Sequence, residues 1–117
     1  MCPCESGATF AECCEPILLN PRAAKSAEAL MRSRFTAYLQ HHVDHLLATW
    51  HPKSRPRVLH LDAQQNWLGL KIKASTEQTV EFVARYKIQG KGYRLHETSR
   101  FVFEDDQWFY LDGVLHQ

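Results

Sequence analysis

A chain of 117 residues, 44% hydrophobic and 23% charged, has the composition of one globular domain with a short appendage. Fourteen Lys and Arg against thirteen Asp and Glu give a formal charge of +1, which points away from an extended cationic surface for nucleic acid. No apolar run approaches the roughly 20 residues of a membrane span, and residues 1–14 lack the basic and apolar regions of a secretory leader, so a cytoplasmic protein is expected.

The first element is the stretch CPCESGATFAECC, residues 2–14, which holds all four cysteines. In a reducing compartment such a cluster serves metal binding or redox chemistry more readily than structural disulfides. Cys2-x-Cys4 and the adjacent pair Cys13-Cys14 supply four soft ligands, the number a tetrahedral zinc requires. One structural Zn²⁺ is the expected cofactor, against three alternatives: a redox dithiol, a vicinal Cys13–Cys14 disulfide, or four unrelated cysteines. Four thiolates leave no open coordination position, so zinc here is read as structural rather than catalytic. Adjacent cysteines call for a turn or a helix end at Cys13-Cys14, because neighbouring side chains diverge in regular structure. Pro3 fixes φ between the first two ligands, and Gly7 frees the loop to fold back.

This stretch resembles the SEC-C motif, a zinc knuckle with the pattern C-P-C-G-S-G, a short variable segment, then C-C or C-H. The same knuckle forms the C-terminal tail of the preprotein translocase motor ATPase. Cys2, Pro3, Cys4, Ser6, Gly7, Cys13 and Cys14 match the pattern, with Phe10 as the aromatic of the connecting segment. Glu5 stands where the pattern has glycine. A left-handed backbone kept at Glu5 would cost roughly 1–2 kcal/mol.

Residues 15–26, with two prolines, read as a linker whose patch Ile17, Leu18 and Leu19 pins the knuckle to the body. Ser26 is a suitable N-cap with Glu28 in the first turn, and Leu30, Met31, Arg34, Phe35 and Tyr38 recur at helical spacing on one face. A second short helix is expected over VDHLLATW, residues 43–50, ending before Pro52. The segment HPKSRPR then forms a basic loop.

Beyond it the period changes to two. Alternation predicts strands over residues 67–73, 80–88, 93–104 and 108–114, with turns at GKG (90–92) and DDQ (105–107). Helices followed by a strand meander describe an α+β domain with helices on one face of a curved antiparallel sheet. The arrangement resembles the nuclear transport factor 2-like cone. The segments ALMRSRFTAYL, HLLATWHP, VEFVARY, LHETSRFVFE and WFYLDG are similar, in order, to the YchJ family, whose members join an N-terminal SEC-C motif to this cone. The resemblance implies a SEC-C-like motif over residues 1–20 and a nuclear transport factor 2-like domain over 21–117. It implies no activity.

Leu95, Phe101 and Phe103 facing inward would carry Glu97 and Ser99 inward with them, and Arg32 or Arg34 could then pair with Glu97. A bulge would instead place His96 and Arg100 inside. A cavity in the cone is expected from Arg34, Tyr38, Trp50, His51, Tyr86 and Glu97. No residue is assigned a catalytic role. His41 and His45, one helical turn apart, lack the neighbours of a recognised zinc motif and read as solvated helix ends. Lys53, Arg55 and Arg57 beside Trp50 form a small cationic loop. The leading functional expectation is a non-enzymatic interaction or adaptor module, presenting the knuckle to a protein or ribonucleoprotein and able to dimerise through the sheet. The alternative is a small-molecule-binding or catalytic protein using the cone.

Overall fold

Two of the three short turns that fold the second half of the chain into a meander carry paired left-handed residues. The computed structural model describes residues 1–117. Strands β1 (Gln65–Ser75), β2 (Thr79–Ile88), β3 (Lys91–Glu104) and β4 (Gln107–Leu115) form one antiparallel sheet in the order β1-β2-β3-β4. Gln89 and Gly90 (φ 50° and 83°) turn β2 into β3, and Asp105 and Asp106 (φ 51° and 62°) turn β3 into β4. Both pairs match the positive φ that tight hairpins demand. The turn between β2 and β3 lies earlier than expected, since Lys91 and Gly92 already pair with Ile88 and Lys87.

Helix α2 (Ala27–Gln40) starts where the sequence predicts: the Ser26 side chain accepts a hydrogen bond from the Ala29 amide at 3.0 Å. It ends at His41 in the left-handed region, φ 64°. Its apolar face, with Leu30, Met31 and Phe35, packs with Val80, Phe82 and Ala84 of β2 and Phe101 of β3 in one buried cluster. Cys2, Cys4 and Cys14 belong to that same cluster, so the cysteine knuckle and the cone share one core.

Residues 15–26 are not an open linker. Cys13 closes a 3₁₀ turn (Phe10–Glu12) and precedes α1 (Cys14–Leu19), which is followed by a second 3₁₀ turn, Pro21–Ala23. The patch anchors through Ile17, which is buried, whereas Leu19 is 80% exposed. Helix α3 (Val43–Ala48) is shorter than expected. Thr49 and His51 run instead beside the outer strand: the Tyr110 amide donates to the Thr49 carbonyl, and the His51 amide to the Tyr110 carbonyl, each at 2.8 Å.

On β3, Glu97 and Ser99 face α2 with Leu95 and Phe101, while His96 and Arg100 take the opposite face. Phe103 departs from expectation; it is 53% exposed and stands edge-on to Trp108. At the far margin of the sheet, a register shift between Trp67 and Gly69 interrupts β1. The Leu70 amide donates to Glu5 Oε2 at 2.7 Å, so the knuckle reaches around that edge.

Candidate metal centre and cone cavity

The four cysteines converge although they come from a turn, a 3₁₀ segment and the start of α1. Their sulfurs all lie within 4.8 Å of one another. Cys4 and Cys13 Sγ are 3.5 Å apart, and Cys13 and Cys14 Sγ are 3.9 Å apart. A tetrahedral ion with metal–sulfur bonds of about 2.3 Å holds its sulfurs about 3.8 Å apart, so the donor set fits a Zn²⁺-sized thiophilic ion.

Each of three sulfurs also faces a hydrogen-bond donor. Ser6 Oγ lies 3.1 Å from Cys13 Sγ, Thr36 Oγ1 donates to Cys14 Sγ at 3.3 Å, and Arg32 Nη1 approaches Cys4 Sγ at 3.9 Å while donating to the Cys4 carbonyl at 2.9 Å. Such donors stabilise thiolates around a metal. Arg32 and Thr36 are four residues apart on one face of α2, so a single helix supplies two of them. A hydrogen bond from Cys14 holds the Cys4 thiol down at about 4 against the opposing effect of burial. The same bond, and then burial, push the Cys14 thiol up; burial does so for Cys13. The cluster thus shares protons that a divalent ion would displace.

Glu5 keeps the left-handed conformation of the glycine it replaces, φ 62°. Its carboxylate bonds the Leu70 amide and, with the Arg85 guanidinium, fills the space above Gly69, where any side chain would collide with both.

Between α2 and the concave face of the sheet lies a cavity of about 280 Å³. Five of the six residues expected there line it: Arg34, Tyr38, Trp50, Tyr86 and Glu97. His51 does not. In an extended segment neighbouring side chains point opposite ways, and with Trp50 on the cavity His51 turns out, its Nε2 3.0 Å from Glu104 Oε1 and its ring edge-on to Phe109.

Arg34 is buried, and burial lowers the pKa of its guanidinium. Nη1 donates to the Leu46 carbonyl at 2.9 Å and to Thr49 Oγ1 at 2.7 Å. The guanidinium lies 5.0 Å from the Trp50 ring centre and 4.7 Å from that of Tyr110. The expected ion pair with Glu97 is not formed. Glu97 Oε2 instead accepts from Ser99 Oγ at 2.6 Å, and its carboxylate occupies the space over Gly113. Burial, and then the Glu97 charge, push Tyr110 up to about 12; burial also raises Tyr38. Both phenols therefore stay protonated and can donate at neutral pH.

His45 is not a solvated helix end. It is buried, with Nε2 3.0 Å from Ser33 Oγ and Nδ1 without a partner, and burial lowers its pKa to about 4. It does not converge with His41 on a metal position. In the basic loop, Arg55 folds back to donate to the Trp50 carbonyl at 3.0 Å. Sequence reasoning did not single out Trp67 and Tyr110, which wall the cavity; alternation with Trp108 was the available signal for Tyr110, whereas strict alternation sets Trp67 opposite Leu70, and the register shift between Trp67 and Gly69 brings both to the inner face.

Residues 26–113 match the family described as YchJ, middle NTF2-like domain, and residues 1–16 match the SEC-C motif. A UPF0225 protein of Chromobacterium violaceum is 48% identical, over 97% of this chain and 92% of its own length. One from Cupriavidus metallidurans is 45% identical, over 99% and 89%. The solution structure of a SEC-C motif containing protein from Rhodopseudomonas palustris superposes with a TM-score of 0.85 at 32% identity, covering 99% of this chain and 98% of that one. A SEC-C motif containing protein from Psychrobacter arcticus, at 22% identity and a TM-score of 0.72 over 100% and 83%, shares the fold.

Proposed function

The chain belongs to the YchJ family, and from that premise we propose that it is a small-molecule-binding protein whose N-terminal cysteines hold one structural Zn²⁺. The observation that supports this reading is the cavity. It has aromatic walls, a buried guanidinium with no carboxylate at ion-pair distance, and a carboxylate on the facing strand. A flat ligand stacks against Trp67 and Tyr86, accepts from the protonated phenols of Tyr38 and Tyr110, and donates to Glu97. When bound to Cys2, Cys4, Cys13 and Cys14, zinc supplies a cross-link with no position left for substrate. The chain's own residues do the rest: Arg32, Thr36 and Ser6 satisfy the sulfurs, and α2 carries that order directly to Arg34 and Tyr38 on its cavity side.

Trp50 and Trp67 both line the cavity, so occupancy changes indole fluorescence. Titrating a panel of flat heteroaromatic fragments into the zinc-loaded protein should reveal ligands whose affinity falls about tenfold or more in Glu97→Gln, the loss of one charge-assisted hydrogen bond. Folded, zinc-loaded protein that responds to no fragment at millimolar concentration would count against the cavity as the functional site. The adaptor reading rests on a different observation: residues 5–9, the tip of the knuckle, are exposed. Capture of a protein or ribonucleoprotein by wild type but not by Cys13→Ser supports it; identical capture by both removes it.

A further inference from the structure

On the convex face of the sheet, away from the knuckle and the cavity, Glu81, His96 and His116 bring one carboxylate oxygen and two imidazole nitrogens within 4.8 Å of one another. The three come from β2, β3 and the residue following β4, so adjacent strands fix their backbones. His96 lies opposite Val83, and the His116 amide donates to the His96 carbonyl at 2.8 Å. His96 Nε2 and Glu81 Oε2 are 2.7 Å apart. The two imidazole rings stack at 4.1 Å with 13° between their planes, and His116 Nε2 lies 2.7 Å from Thr98 Oγ1.

We propose that Glu81, His96 and His116 form a second, thiolate-free site for a divalent transition ion of the Zn²⁺, Ni²⁺ or Cu²⁺ type. Two imidazoles and a carboxylate suit these ions, and three protein ligands leave a coordination position for water. Stacked rings direct their nitrogens in parallel, so binding rotates His116 out of the stack. That side chain is exposed and gives up its stack on His96 and its contact with Thr98. Glu81 and His96 move less: their donor atoms, 2.7 Å apart, need only part to the roughly 3.3 Å that metal–ligand bonds of about 2.0–2.1 Å require in a tetrahedral site.

The test is calorimetric titration of Ni²⁺ into protein whose knuckle is already filled with zinc, with the histidine ring resonances followed in parallel. One further equivalent is expected, perturbing His96 and His116. His116→Ala and Glu81→Gln should each weaken it about tenfold or more, whereas His60→Ala, at an exposed loop histidine, should leave it unchanged. All three variants should retain one zinc in the knuckle. Absence of a further equivalent, or one that survives in both His116→Ala and Glu81→Gln, would overturn the assignment.

Discussion

Replacing Glu5 separates two opposing contributions at one residue. Its left-handed backbone is unfavourable for any residue with a Cβ, and its carboxylate binds the Leu70 amide at 2.7 Å. A hydrogen bond to a charged group contributes about 1.5–3 kcal/mol, and because Glu5 is exposed the lower figure applies. Glu5→Ala keeps the backbone strain and loses the bond, so it should destabilise the zinc-loaded protein by about 1.5 kcal/mol. Glu5→Gly also loses the bond but relieves about 1 kcal/mol of left-handed strain. Its net loss should then be only about 0.5 kcal/mol. Urea denaturation of the three proteins in excess zinc measures both differences. Glu5→Ala as stable as wild type would show that the carboxylate contributes nothing; equal stability of the Ala and Gly variants would show that the backbone is unstrained.

Three further outcomes follow from the same geometry. His45 is held neutral in the fold with its pKa lowered to about 4 from an ordinary 6.5, so its contribution is complete above about pH 6.5 and is lost as pH falls towards 4, by about 3 kcal/mol; since acid also releases zinc, the measurement is the difference in pH slope between wild type and His45→Asn, and identical slopes refute it. Chelating the metal, or Cys13→Ser, should loosen α2 and the sheet together because Cys2, Cys4 and Cys14 share their core; hydrogen exchange that accelerates only in residues 1–20 would contradict this. Gly113→Ala places a methyl group against the Glu97 carboxylate, breaks its bond with Ser99 and should cost about 1 kcal/mol; a carbon chemical shift of the Glu97 carboxylate unchanged from wild type would show that it had not moved.

The sequence carries the four thiols, the Ser26 cap and the strand alternation, because each is a local pattern. Helix α2 begins at its predicted residue for that reason. Long-range choices are less legible. Glu97 had two acceptable partners, a distant arginine and its near neighbour Ser99, and only the removal of a side chain at Gly113 lets it lean away from Arg34. His51 was expected in the cavity beside Trp50; the extended path of Thr49 to His51, which turns it the other way, depends on Tyr110, some 60 residues later, and helical spacing through Trp50 concealed it. His45 looked polar and terminal; its burial arises from Ser33 on a different helix.

The sheet has two margins, and the chain closes part of each with segments outside the meander: Glu5 at Leu70 on β1, and Thr49 with His51 at Tyr110 on β4. An uncovered strand is a template for pairing with another chain. The two guards differ in kind, since Thr49 and His51 belong to the segment leading out of α3 whereas Glu5 sits in the loop between Cys4 and Cys13. Loss of order in the cysteine loop therefore reaches the β1 margin directly, and the β4 margin only through the core that both share.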